Sequence, residues 1–523
     1  MDLKGCYMMA AGKKATADGS VMVARSCDSI GGDDVVQVLA VPRRSHRPDE
    51  LITIPEAGGT RISQVEETCA YIGVMMVAEN VDIHEAEGGV NEHQVMAGAS
   101  TGGWLNPRAQ ELCPKMLTSV GDYRMTLVLE RCRTAREAVD LIGELTDRYG
   151  ARTDNYIVAD PKEAWFYEEY QGNLWVAARV PDECFVVQAN SVRIDFVSDD
   201  PDVYRCSSNL VSFAKEKGLY DPDRDGVFNP AKIYGAQTGK KRHNISAPDY
   251  DRRRIWRGIS LLAPSAKPEP EEPSWMYPLF IKPDEKLTPR DFLALFEDHY
   301  QDTRYDPYGV KTSQYKPTYS PMIAQGEGHE VKESLFHIND QREYQLAPNW
   351  GTERLIGTPR SVTNWCAQLR DWMPNPIGGL IWLGISEGAT TGRIPFYCGV
   401  KDTPKAFATG MRAFVESKDP TMMNPYDPAS AYWSFRIVTN LVNLFYTATK
   451  DEVIPIWRSW EADNYHLQPA VEKAACMLYQ NDPELARKFL TTYSCAKANE
   501  ALVIAKELTA RLYTIISHYN SPL

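Results

Sequence analysis

The stretch "CYMMAAGKKATADGSVMVARSCDS", residues 6–29, holds two strand-like runs about one turn. An apolar run over 6–11 and an alternating run over 21–25 flank a polar segment that contains Asp18-Gly19, the composition of a β-hairpin. Antiparallel pairing brings the end of the second run, with Arg25 and Asp28, back toward the start of the first, where Cys6 lies. Ahead of Cys6 stand only residues 1–5, with one lysine and no apolar core, so this leader is not a secretory signal. It is expected to be a short propeptide.

A lone cysteine is most often a small buried hydrophobe, and an Arg-x-x-Asp pair is most often a surface ion pair. The position of Cys6 supports a more specific reading. Cutting the Gly5–Cys6 bond gives one residue both a thiol and a free α-amine. An α-amine with a pKa of about 7.7–8.0 accepts protons near neutrality, whereas an amide nitrogen does not. Nucleophile and base are then the same residue. Gly5 suits self-cleavage because it lets the backbone bend and bring the thiol to the preceding carbonyl. A cation about 4 Å from the sulfur contributes about 4 kcal/mol at an effective dielectric of 20. Lowering a thiol pKa by two units takes only about 2.7 kcal/mol. Arg25 is therefore the expected thiolate stabiliser, and Asp28 the expected acceptor for the new α-ammonium.

At these residues the chain resembles the dipeptidase A family, the cysteine dipeptidases that also include the secernins, within the N-terminal-nucleophile hydrolases. The resemblance continues through "EGGVNEHQVMAGAST", "LERCRTAREAVDLIGELTDRYG", "VADPKEAWFYEEYQGNLWVAARVPDECFVVQANSVRI", "EDHYQDTRYD" and "TPRSVTNWCAQLR", and so spans nearly the whole chain. It implies an α+β fold, a four-layer αββα sandwich, with autocatalytic exposure of Cys6 and metal-free hydrolysis of short peptides. The wider superfamily, including penicillin V acylases and bile salt hydrolases, is similar in using a cysteine, an Arg-x-x-Asp, an oxyanion-hole asparagine and a later arginine. On that pattern "QANSVRI" nominates Asn190 as oxyanion donor and "TPRSV" nominates Arg360. A backbone N–H near Ala99 or Ser100 is the expected second donor. The acylases often carry an asparagine there and this chain does not, which argues against a bile-salt or penicillin type of pocket. The plainer readings are a turn asparagine and a structural ion pair.

The composition is ordinary for a soluble globular protein. The chain has 523 residues, with 57 Lys+Arg against 70 Asp+Glu, and its net charge of −13 repels nucleic acid and anionic lipid. Its longest apolar run, 379–385, falls far short of the roughly 20 residues needed to cross a bilayer. The 11 cysteines include no C-x-x-C pair and the 9 histidines no pair at ligand spacing. Reduced, buried thiols, no cofactor, no metal and a cytoplasmic location are expected, with export left open.

Strand-like runs recur at 71–77, 94–97, 155–159, 164–168, 174–179 and 184–188 with few helices between them, which predicts packed antiparallel sheets. "TAREAVDLIGELTDRY", 134–149, predicts a helix with Thr134 as N-cap and Glu137 as its reciprocal partner. "SAKPEPEEPSW", 265–275, predicts a long surface loop. Beyond about residue 404, Asp427-Pro428 and Asp482-Pro483 predict helix starts. The expected organisation is a propeptide over 1–5, a hydrolase domain over 6–403 and a helical layer or subdomain over 404–523.

Two further motifs resemble catalytic signatures without completing them. "GISEG" places Ser386 in a G-x-S-x-G pattern, but Gly392 and Pro395 oppose the helix that a nucleophile elbow needs. "HEAEG" opens like a zincin at His84-Glu85, but Gly88 replaces the second histidine. The expected activity is cysteine-type hydrolysis of dipeptides or short peptides, with a small peptide as substrate and homo-oligomer formation left open. The alternatives are the same chemistry on non-peptide amides and a non-catalytic, secernin-like binding protein.

Overall fold

The computed structural model describes residues 5–28, 35–54, 60–76, 85–115, 120–121, 123–236, 241–242, 245–306, 354–409 and 426–520. Residues 1–4 of the leader, Val77 and His84 lie outside them.

The opening hairpin is the centre of the molecule. Strand Gly5–Ala11 pairs antiparallel with Val21–Asp28, setting Cys6 opposite Cys27 and Met8 opposite Arg25. Asp18 Oδ1 accepts from the Ser20 backbone at 3.0 Å and its hydroxyl at 2.6 Å, closing the turn. Both strands are buried along their whole length, because sheet neighbours and layers cover them on every side.

Around the hairpin runs an antiparallel six-stranded sheet in the order Phe185–Gln188, Gly5–Ala11, Val21–Asp28, Ser361–Leu369, Leu380–Ile385, Ile394–Tyr397. A second antiparallel sheet has eight strands, in the order Tyr204–Cys206, Trp175–Arg179, Ala164–Glu169, Asp154–Ala159, Met96–Thr101, Glu85–Asn91, Tyr71–Met76, Val36–Val41. Period-two alternation divides its side chains. Ile157, Ala159 and Phe166 join the core shared with Met8 and Val23, while Tyr156, Val158, Trp165 and Tyr167 face the other way.

That outer face is covered by helices Tyr123–Arg131 and Ala135–Tyr149 through Met125, Val128, Leu129, Val139 and Ile142. Close approach is possible because Gly143 lacks a Cβ, which would stand 2.6 Å from the Trp175 ring. The six-stranded sheet is covered by helices Ala431–Leu444, Tyr446–Asn481 and Pro483–Asn520, whose Val438, Trp457, Leu490 and Leu512 share one core with Trp365, Trp382 and Phe396. Helix, sheet, sheet and helix make a four-layer αββα sandwich. Helices Ala431–Leu444, Tyr446–Asn481 and Pro483–Asn520 are its outer layer on that side, and Thr403 Oγ1 donates to the Val38 carbonyl at 2.7 Å. No helix among the described residues is long and apolar enough to cross a membrane.

Three local expectations shift. The strand expected at 94–97 is Met96–Thr101, because Gln94 takes a left-handed φ of 62° in a turn held by the Asn91 side chain. Thr134 caps the Glu137 N–H at 3.2 Å, but the Glu137 carboxylate returns to the Arg133 N–H at 2.6 Å, one residue earlier than a reciprocal box requires. Asp427 holds the Ala429 N–H in a turn and the helix begins only at Ala431, whereas Asp482 caps Glu484 and Leu485 directly.

Candidate active site

Cys6 is the second residue of its strand and only 3% exposed. Cys27 stands directly across from it, and Arg25, two positions back, shares the Cys27 face of the pleat. Each nitrogen of the Arg25 guanidinium is engaged. Its Nη2 donates to Cys6 Sγ at 3.5 Å and to Glu87 Oε2, Nη1 donates to the Glu87 carbonyl at 2.8 Å, and Nε donates to the Ala99 carbonyl. Burial disfavours the cation, yet Glu87 and Cys6 hold its pKa well above the ordinary range.

The Cys6 thiol is held below its ordinary pKa, first by a hydrogen bond from the Cys27 thiol. Burial opposes this, Arg25 adds to it, and the charges of Glu87 and Asp28 work against it. Cys27, as the donor, is pushed well above the usual thiol range. Arg25 therefore does not act as the unshared cation assumed from sequence, since Glu87 takes part of its field.

The backbone around Cys6 is held from the other side. Asn190, at a left-handed φ of 56° just past strand Phe185–Gln188, accepts the Cys6 N–H through Oδ1 at 3.2 Å. Its Nδ2 donates to the Thr101 carbonyl at 2.6 Å and to Thr101 Oγ1 at 3.0 Å. Arg254, wholly buried, donates to the Cys6 carbonyl at 3.0 Å, to Asn190 Oδ1 at 2.9 Å and to the Ala189 carbonyl at 3.2 Å. Arg254 rides on helix Ala247–Leu262, which comes close because a Cβ on Gly258 would lie 2.0 Å from the Tyr7 hydroxyl. That hydroxyl donates to the Arg254 carbonyl at 3.1 Å.

Asp28 ends the second strand opposite Gly5. Arg354 Nη2 and Ser361 Oγ each donate to its carboxylate at 2.6 Å, and all three residues are buried.

The structure thus gathers Cys6, Arg25, Asp28 and Asn190. Arg360 lies half-buried next to Ser361, with its backbone N–H on Thr358 Oγ1 at 3.4 Å. The guanidiniums on Cys6, Asn190 and Asp28 are those of Arg25, Arg254 and Arg354. Ala99 meets the cluster through its carbonyl, and Ser100 Oγ donates to the Thr101 carbonyl at 3.4 Å.

Sequence reasoning missed Cys27, Glu87, Thr101, Arg254, Arg354 and Ser361 as neighbours of the site. Glu87 had a usable signal, since a buried arginine needs a counter-charge and Glu87 heads a quoted segment. Arg254 was hidden in the basic run "DRRRIWRG", which reads as a solvated face.

The decoy Ser386 ends strand Leu380–Ile385 at a φ of 76°, wholly buried. Its hydroxyl accepts from Arg436 Nη1 at 3.3 Å, and a 3-10 turn over Gly388–Thr390 follows in place of a helix. A guanidinium cannot act as the base that a serine nucleophile requires.

A buried thiol with a depressed pKa, its backbone N–H pinned by a carbonyl oxygen, is equipped for nucleophilic attack on a carbonyl. Among similar proteins, a "Probable dipeptidase" of Latilactobacillus sakei is 27% identical over 99% of this chain and 93% of its own length. A "Probable dipeptidase A" of Streptococcus pyogenes serotype M18 (strain MGAS8232) is 27% identical over 92% of this chain and 88% of its own. A "Probable dipeptidase B" of Lactococcus lactis subsp. lactis (strain IL1403) is 28% identical over 82% and 79%. A mutant conjugated bile acid hydrolase from Clostridium perfringens overlaps 35% of this chain and 52% of its own at 8% identity, with a TM-score of 0.24, too slight a likeness to argue from. Residues 5–459 match the family model of peptidase family C69, and the chain belongs to that family of peptide-bond hydrolases.

Proposed function

We propose that this protein is an autoprocessed cysteine dipeptidase that cleaves dipeptides or short peptides with Cys6 as N-terminal nucleophile. The observation that carries this reading is the Arg25 Nη2 contact to Cys6 Sγ at 3.5 Å, made while Asn190 holds the N–H of the same residue. The dipeptidase names of the relatives support the substrate class.

In processing, Cys6 Sγ attacks the Gly5 carbonyl, the peptide nitrogen leaves as the Cys6 amine, and water hydrolyses the thioester to release residues 1–5. In turnover, the freed amine takes the thiol proton and the thiolate attacks the scissile carbonyl. The oxyanion is held by Asn190 Nδ2, which exchanges its Thr101 Oγ1 contact for it, and by a backbone N–H near Ala99 or Ser100. The ammonium protonates the leaving amine, and water frees the acid product from the acyl-enzyme. Arg25 supports the thiolate, Arg254 and Asn190 fix the backbone of Cys6, and Asp28 orients the new ammonium.

A hydrolysis panel of dipeptides and N-acyl amino acids, run on wild type and Cys6→Ser, tests this. Faster cleavage of dipeptides, abolished in Cys6→Ser, is expected. Preference for the N-acyl amino acids overturns the substrate class, and equal behaviour of the two proteins overturns the nucleophile.

A further inference from the structure

Outside the Cys6 cluster, one group of side chains converges without a role in the chemistry above. Cys69 Sγ, a ring nitrogen of His93 and a carboxylate oxygen of Glu92 all lie within 4.8 Å of one another. Cys69 follows strand Glu67–Thr68, and the other two sit in the turn after strand Glu85–Asn91, roughly 15 Å further along that strand from Glu87. Both pieces are built rather than loose. The Ala70 N–H donates to Glu92 Oε1 at 2.7 Å and the Glu92 N–H to the Ala70 carbonyl at 2.8 Å, tying the two turns together. Asn91 Oδ1 accepts from the His93 and Val95 N–H groups at 3.0 and 2.9 Å, and the Cys69 N–H donates to the Glu130 carbonyl at 2.8 Å.

Within this frame His93 Nε2 is buried and meets no hydrogen-bond partner among the described residues. A buried ring nitrogen without a partner carries a desolvation penalty that a bound cation would remove. We propose that Cys69, Glu92 and His93 bind a zinc-class divalent cation, with water completing a tetrahedral shell. Thiolate, imidazole and carboxylate together are the borderline-soft donor set that Zn2+ favours over Mg2+ or Ca2+. Binding displaces the Cys69 proton, giving a thiolate. Arg43 is the competing cation, since it contacts Glu92 Oε1 at 3.1 and 3.0 Å. It has a second carboxylate in Glu67 at 2.6 Å, so Glu92 can turn one oxygen to a metal without stranding it. Arg487 stays 4.0 Å from Glu92 Oε2.

The test is a Co2+ titration of reduced, chelator-treated full-length protein, followed by absorbance. One Co2+ per chain is expected, with a thiolate-to-cobalt charge-transfer band and tetrahedral visible bands that Zn2+ displaces. Cys69→Ser and His93→Ala abolish the band, while Cys6→Ser retains it. Glu92→Gln weakens binding by at least the roughly tenfold that even outer-shell changes produce. No band in wild type, a band that persists in Cys69→Ser, or one lost in Cys6→Ser overturns the proposal. If either loss variant is unfolded, Zn2+ protection of wild-type Cys69 from alkylation, read by peptide mass spectrometry, decides instead. Protection supports the site, and its absence overturns it. These readouts are independent of peptide hydrolysis.

Discussion

One guanidinium nitrogen of Arg25 serves both the Glu87 carboxylate and the Cys6 sulfur, the latter at 3.5 Å. The cation that favours the thiolate is thereby shared with a buried acid that disfavours it. Glu87→Gln is predicted to have two opposite effects. It leaves Arg25 without its buried partner and destabilises the fold by about 3–5 kcal/mol in chemical denaturation. It also gives the sulfur the whole field of Arg25, so alkylation of Cys6 by iodoacetamide begins at lower pH than in wild type. A shift to higher pH would contradict the shared-cation account.

Cys27 is predicted to tune the nucleophile. Its thiol is the largest influence holding the Cys6 pKa down. Removing that donor raises the pKa, so Cys27→Ala moves the pH profile of Cys6 alkylation upward, while Cys27→Ser, which keeps an O–H donor, moves it less. Identical profiles for Cys27→Ala and wild type would remove Cys27 from the mechanism.

Arg254 bridges the Cys6 carbonyl and Asn190 Oδ1. Arg254→Ala is predicted to lower kcat/KM on the order of a hundredfold, the scale of losing one preorganised donor at a reacting centre. Wild-type kcat/KM for Arg254→Ala in a dipeptide assay would remove Arg254 from the site.

Asp251 is pushed up to about 7 by burial, against a Ser274 hydroxyl at 2.8 Å that lowers it. Its folded pKa lies above the unfolded value of about 3.9. The stability it contributes is therefore complete below about pH 4 and lost as the pH rises through about 7. Asp251→Asn is predicted to flatten the stability profile over that window and to exceed wild type at pH 8 in urea unfolding. Some slope remains, because buried Glu168 is also raised to about 7. An unchanged profile would contradict the assignment.

The fold was legible where local chemistry dictates it. The hairpin followed from its Asp18-Gly19 turn and alternating flanks, and helix Ala135–Tyr149 from its Thr134 cap. Cys6, Arg25 and Asp28 were legible because one hairpin carries all three. Glu87, Arg254 and the pair Arg354 and Ser361 reach the site from three distant segments, and single-chain spacing carries no record of which segments meet. The Cys69–Glu92–His93 group escaped for the same reason, since its thiol comes from a different turn than its imidazole. Helix starts shifted where an Asx turn competed with the cap, as Asp427 does.

The account rests on Cys6 becoming a residue with a free amine. The most direct measurement is intact-mass and N-terminal analysis of freshly purified, catalytically active protein beside Cys6→Ala. A chain beginning at Cys6 in the active protein, and an uncut Gly5–Cys6 bond in Cys6→Ala, are predicted. Full dipeptidase activity from a chain that still carries residues 1–5 would contradict it.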